Sequence, residues 1–233
     1  MNTSTLPTGK PVDSTDLGRR PHRVPLDGRF VALLPLDPAS DVQELFDCSH
    51  GDEVTESLWT YLGYGPFADP DAMANWLRTV AESNDPLFFT VHQKSSPRPR
   101  VGMVSLMSIV PEMGRLEVGH IWYGPRAQRT KVNTESVYLM LCEAFDGLRN
   151  RRVEWKCDSL NERSRAAADR LGFSFEGIFR QHLVVKGRNR DTAWFSMLDS
   201  EWPAIKSNME TWLYDDARVL SLRQLNRELC RSP

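Results

Sequence analysis

The sequence predicts a mixed α/β domain, and three observations predict it. Three strand-like runs follow one another between residues 86 and 123, strands and helices then alternate from 115 to 171, and Gly and Pro turn signals separate the runs. At 233 residues, with 40% hydrophobic and 26% charged residues, the chain can bury one sizeable core.

Residues 1–25 are polar and Pro-punctuated and read as a flexible leader. The run "RFVALLPLD" (29–37) reads as a strand, and "PASDVQELFDCSH" follows with Val42, Leu45 and Phe46 at helical spacing. Between 52 and 84, "ESLWTYLGYGPF" and "DPDAMANWLRTVAES" read as two short helices around a Gly and Pro-rich turn. This stretch holds Trp59, Tyr61, Tyr64, Phe67 and Trp76, either as a pocket wall or as plain core. "PLFFTVHQK", "RVGMVSLMSIV" and "RLEVGHIWY" form an expected antiparallel meander. Then come a helix over 134–149, the strand "RRVEWKCD", the helix "NERSRAAADRL" and two strands around a hairpin turn at Lys186–Asp191. "EWPAIKSNMETWL" and "ARVLSLRQLNREL" close the chain as helices, the second with Val219, Leu222, Leu225 and Leu229 on one stripe. The domain is expected over 26–203 and a helical extension over 204–233, packed on its own domain or on a second subunit as a homodimer.

A net charge of −2 gives no reason to expect nucleic acid or an anionic membrane as the main partner, so the cations of "KGRNRD" read as a solubilising hairpin tip. No apolar run approaches a membrane span and the start lacks a signal-peptide core, which predicts a cytoplasmic protein. Cys48, Cys142, Cys157 and Cys230 are scattered without a CxxC pair, so reduced thiols and no metal site are expected.

"YGPRAQRTKVNTES" places Arg126, Arg129 and Lys131 between a strand and a helix start. Unpaired N–H groups and the positive end of the helix dipole make such a junction an anion site, with a solvated loop as the alternative.

The segments "EVGHIWYGPRAQRTKVNTES" (117–136) and "VEWKCDSLNERSRAAADRLGFSFEGIFRQHLVVKGRNRDTAWFSMLDSEW" (153–202) resemble the GNAT acyl-CoA N-acetyltransferases, in the branch similar to ribosomal-protein alanine acetyltransferases. The resemblance covers roughly residues 25–203, and its specific part is Asn161 with Ser164, "LGF" at 171–173 and "EG" at 176–177. It implies a mainly antiparallel twisted sheet flanked by helices, splayed between the family's fourth and fifth strands, here 115–123 and 151–158. It implies acetyl-CoA as co-substrate and an amine as acceptor.

In the family a Q/R-x-x-G-x-G/A loop cradles the pyrophosphate. The matching residues are Gln128, Arg129, Thr130, Lys131, Val132 and Asn133, followed by Thr134, with Lys131 and Asn133 in the small positions. A loop that is already helical needs no glycine there, and Lys131 and Arg129 would add charge-assisted bonds. The resemblance also implies that Ile121, Trp122 and Tyr123 border the thioester, with a backbone N–H near Ile121 for its oxygen. Asn161 and Ser164 would hold the pantetheine arm, with plain helix capping by Asn161 or Ser159 as the alternative. The tyrosine that many members use on that helix is Ala168 here.

An amine attacks only when unprotonated, so something must take its proton. Glu117 lies at the spacing of the family's catalytic glutamate, with His120 and Asp158 as other candidates and a plain salt bridge as its structural alternative. Strand alternation puts Glu117 with Gly119 and Ile121, and Val118, His120 and Trp122 on the other face. Cys157 reads as a buried structural thiol, with an acyl carrier as the alternative. The expected activity is acetyl transfer from acetyl-CoA to a primary amine of a small or amino-acid-like metabolite. A protein N-terminus as acceptor, a non-catalytic acyl-CoA-binding protein and a fold relative that no longer binds coenzyme A are the alternatives.

Overall fold

Strand after strand meets its neighbour in antiparallel register, and the exception lies where the site was expected. The computed structural model describes residues 6–13, 17–217 and 219–229. Its strands are β1 (Leu26–Asp27), β2 (Val31–Pro35), β3 (Leu87–Gln93), β4 (Arg100–Val110), β5 (Arg115–Tyr123), β6 (Arg152–Asp158), β7 (Ser174–Val185) and β8 (Arg188–Leu198). They form one eight-stranded sheet in the order β1-β2-β3-β4-β5-β6-β8-β7. Only β5 and β6 run parallel, which requires a crossover helix between them.

The helices are α1 (Pro38–Asp47), α2 (Glu53–Glu56), α3 (Pro70–Ala81), α4 (Lys131–Cys142), α5 (Glu162–Leu171), α6 (Trp202–Tyr214) and α7 (Leu222–Leu229). Local chemistry starts them. Asp37 and Asp69 accept from Ala39 N and Ala72 N ahead of a proline at the first helical position. α5 begins at Asn161 and ends at Gly172, whose φ of 96° is cheap for glycine alone.

Two cores cover the two faces of the sheet. On one face Leu116, Val118 and Val153 pack under α4, α5 and α6 through Val137, Met140, Leu171 and Ile205. On the other, Phe88, Met103 and Trp122 pack under α1 and α3 through Leu45, Met73 and Leu77. Burying these side chains is the main stabilisation.

Several elements differ from expectation. The first of the two helices expected after residue 52 is one turn, α2, plus a 3-10 turn at Ser57–Trp59. Gly63, Gly65 and Pro66 then break the helix, and a Cβ at Gly65 would stand 2.5 Å from the Trp59 ring. The helix expected over 134–149 starts earlier, at Lys131, and widens into a π-turn at Glu143–Gly147. The hairpin turn is only Lys186–Gly187; the strand resumes at Arg188. Val219 lies outside the last helix and is exposed; Leu222 and Asn226 are buried and Leu225 is half-buried, and the side chain of Leu229, expected on the same stripe, lies outside the described residues. α6 and α7 pack on their own domain through Trp202, Met209 and Leu222. Within the expected leader, Gly18 N and Arg19 N donate to Arg149 O and Leu148 O, and Arg23 donates to Ala81 O and Ser83 O. Cys230 lies outside the described residues; Cys48, Cys142 and Cys157 are free.

Candidate active site

β5 and β6 pair only over Arg115–Arg152, Leu116–Val153 and Glu117–Glu154. Past Glu117 the two strands part, and the β5 backbone has no strand partner on that side. The splay implied by the resemblance is therefore present, and it opens one residue after the candidate base.

Two irregularities aim side chains at that point. In β4, Ser108 has φ 50°, held by Asp85, which accepts from Ser108 N at 2.8 Å and Ile109 N at 2.9 Å. In β5 the register against β4 advances by an extra residue between Gly119 and Trp122, and His120 takes φ 50°. Both are bulges, which re-aim a strand's side chains. The second corrects the expected alternation. A Cβ at Gly119 would stand 3.6 Å from Glu117 Oε1, so those two share a face as expected. Beyond the bulge, His120 and Trp122 join that face against Phe88, while Ile121 turns to the opposite core.

Glu117 is 5% exposed. Lys156 Nζ lies 2.9 Å from its Oε2 and Ser108 Oγ donates to the same oxygen at 3.1 Å. Burial raises its pKa above the ordinary carboxylate value, Lys156 and Ser108 oppose the rise, and the neighbouring Glu154 adds to it. The salt bridge to a neighbouring strand, the structural alternative for Glu117, is thus formed. The same arrangement leaves a desolvated carboxylate beside the splay, and a carboxyl of raised pKa is a stronger proton acceptor than a solvated one.

His120 packs between the Phe88 ring at 5.0 Å and the Tyr64 ring at 5.5 Å. Burial, with help from the Arg190 charge, lowers its pKa to about 4, so the imidazole is neutral at physiological pH and a weaker base than an ordinary histidine. Asp158 stands at the end of β6 and accepts from Leu160 N at 2.9 Å, closing the turn into α5. Cys157 is buried, and desolvation raises its thiol pKa, as suits a structural cysteine.

At the α4 start, the residue that needs positive φ is Arg129, at 60°. Lys131, Val132, Asn133 and Thr134 are already helical, so the absent glycines cost nothing in backbone freedom. Thr130 caps the helix, its Oγ1 accepting from Val132 N at 3.2 Å, and Gln128 Nε2 donates to Tyr123 O at 2.9 Å. Arg126 and Arg129 are exposed. Lys131 departs from expectation: its ammonium donates to Leu213 O at 2.5 Å and lies 4.3 Å from the Phe30 ring centroid. Its charge serves the C-terminal end of α6.

Asn161 Oδ1 accepts from Ser164 N at 3.0 Å, and Ser164 Oγ accepts from Trp155 Nε1 at 3.0 Å, so the capping reading holds for Asn161. The position of the family's tyrosine, Ala168, is fully buried.

Sequence reasoning missed Lys156, Ser108 and Arg170. Arg170, on α5, donates to Asn133 Oδ1 and Thr134 Oγ1 at 2.8 Å each, tying α5 to the first turn of α4, and burial lowers its pKa. No local signal in the sequence marks any of the three, because each acts across elements. In the aromatic stretch expected as wall or core, Trp59 is buried and packs on Trp122, while Tyr64, Phe67 and Trp76 are half-buried and pack on one another and on that core. The stretch also meets the hairpin, where Lys186 Nζ donates to Trp59 O at 2.7 Å, and Tyr61 donates to Leu160 O at 3.2 Å. Among the described residues no group of His, Cys, Asp and Glu is placed to hold a metal ion, and no helix is long and apolar enough to cross a membrane.

Residues 31–174 match the family model described as acetyltransferase (GNAT) domain. A GCN5-related N-acetyltransferase from Brucella melitensis is 42% identical, with a TM-score of 0.86 over 91% of this chain and 98% of that one. A GNAT-family structure from Chromobacterium violaceum is 40% identical, with a TM-score of 0.78 over 86% of this chain and 98% of that one. A Bacillus subtilis protein named as a candidate ribosomal N-acetyltransferase is 31% identical over 105 residues, which is 45% of this chain and 57% of that protein's length.

Proposed function

The chain belongs to the GNAT acetyltransferase family, whose members take an acetyl group from acetyl-CoA, and we propose that it delivers that group to a primary amine of a small, amino-acid-like molecule. The observation that carries the reading is Glu117, a buried carboxylate of raised pKa at the point where β5 and β6 part.

In this reading acetyl-CoA supplies the activated acyl thioester. The start of α4, with the N–H groups of its first turn and Gln128, Arg129, Thr130, Val132, Asn133 and Thr134, receives the pyrophosphate. The β5 edge at Ile121, Trp122 and Tyr123, left without a partner on the β6 side, lies along the thioester and offers it a backbone donor. Asn161 and Ser164 border the pantetheine arm. Glu117 takes the proton from the incoming ammonium, directly or through a water, and Lys156 and Ser108 hold the carboxylate in place. His120 shares the face and adds no positive charge to it, because its imidazole stays neutral. The amine attacks directly, with proximity and orientation supplying much of the acceleration and no covalent enzyme intermediate. The enzyme works in the cytosol.

A protein N-terminus is the second reading for the acceptor, favoured by the partial likeness to the Bacillus subtilis protein. Calorimetric titration with acetyl-CoA, followed by thiol release on small amines and on short peptides, tests both. Binding with release on small amines is expected. Release on peptides alone selects the second reading, and binding without release on any amine removes the catalytic one.

A further inference from the structure

Resting on the reading that an amine is acetylated beside Glu117, we infer that the acceptor carries a carboxylate next to its amine and that Arg190 of β8 receives it. Along β8, Arg190, Thr192 and Trp194 alternate onto one face. That face is Glu117's. Trp194 stands opposite Lys156 in the β6 register, its ring centroid lies 4.0 Å from Lys156 Nζ, and the same ammonium lies 2.9 Å from Glu117. β6 ends at Asp158 opposite Thr192, so Arg190 stands past the end of β6, beside the opening between β5 and β6. Its charge acts on His120 of β5 and on Cys157 of β6, one on each wall of that opening.

Arg190, half-buried, also has an unpaired buried donor. Its Nε is buried without a hydrogen bond, as is Trp194 Nε1 two positions along the same face, and Arg190 has no ion pair among the described residues. Other cations here are engaged: Lys156 with Glu117 and Glu154, and Lys186 with Trp59 O. Buried donors without acceptors are rare in folded proteins and are commonly completed by a ligand or water. The complement to a planar guanidinium edge is a carboxylate, which accepts in its own plane. A neutral carboxamide or peptide carbonyl offers one uncharged acceptor and matches less well. The same cation also favours the unprotonated form of an amine held nearby, which is the form that attacks.

The test uses the full chain and matched acceptors: an α-amino acid, its carboxamide, and a dipeptide amide with the same first residue. The free acid is expected to show a kcat/KM about 100-fold above its carboxamide. Arg190→Gln should shrink that ratio at least about tenfold, and Arg190→Lys, which keeps the charge but loses the planar fork, should fall between. Equal use of acid and carboxamide by the native chain would overturn the inference, as would a variant that loses both alike. Thiol release on no amine at all would overturn the functional reading instead. Arg190 is then judged by melting temperature in the presence of CoA: a larger shift with the acid than with the carboxamide, abolished in Arg190→Gln and partly kept in Arg190→Lys, upholds the carboxylate site, and equal shifts overturn it.

Discussion

Glu135 and Glu117 are both buried carboxylates close to the sheet, and they are held in opposite ways. Glu135, on α4, accepts from the backbone N–H groups of Arg29, Phe30 and Val31 at 2.9, 2.6 and 2.7 Å and from the Tyr214 hydroxyl at 2.9 Å. It ties the start of β2, α4 and α6 together, so closely that a Cβ at Gly28 would stand 2.6 Å from its carboxyl carbon. Glu117 has one hydroxyl and a lysine that it shares with Glu154. Backbone donors are neutral and fixed by the fold, so they make a permanent joint; a shared ammonium and a single hydroxyl leave a carboxylate that can exchange partners. The same residue type at the same depth is a rivet in one place and a reactive group in the other.

The comparison breaks most sharply at Glu117→Gln. If the carboxylate is the base, kcat falls by ~100-fold to 10,000-fold while acetyl-CoA affinity by calorimetry stays within about twofold. Equal loss of rate and affinity would make Glu117 a second rivet. Glu135→Ala should do the reverse. It orphans three backbone donors and a hydroxyl, so chemical denaturation should show a loss of about 3 kcal/mol or more, with kcat per folded molecule little changed.

His120→Asn, a side chain that tolerates positive φ, sharpens the view of the reactive face. His120 has a folded pKa of about 4 against an ordinary 6.5, so the unfolded chain binds more protons between those values. Stability should therefore be full above pH 6.5 and fall as pH drops towards 4, by up to about 3 kcal/mol from this group. The variant should lose that part of the slope in denaturant titrations and keep the part from His50 and His92, whose pKa values burial also lowers. The smallest effect is expected from Ser108→Ala. Without its hydroxyl the Glu117 carboxylate loses one hydrogen bond, worth about 1 kcal/mol, so the acid limb of the kcat/KM profile should move up by less than about one pH unit. A limb that moves down would show that Ser108 does not favour the ionised form.

Most of the architecture was legible because it is written in local patterns. The meander of β3 to β5, the strand and helix alternation after it, and the cap at Asn161 are all short-range signals. The elements that read wrongly are those where a neighbour overrides the pattern. The stretch after Glu56 carries helical spacing, yet its glycines and Pro66 turn it back onto Trp59. Lys131 reads as an anion-site cation, yet the end of α6 captures it.

By itself the sequence determined the order of elements, the place of Glu117 on the strand before the basic loop, and a helix start after that loop, because backbone periodicity and capping act over a few residues. Only the tertiary structure decided which face His120 and Ile121 occupy, since one extra residue in β5 reverses strand alternation beyond it. Only it brought Lys156 and Ser108 to Glu117 and left Arg190 without an acid, because these depend on register between strands far apart in the chain. Electrostatic character follows from that register: a carboxylate's pKa is set by what surrounds it once water is excluded, and the surroundings come from other strands.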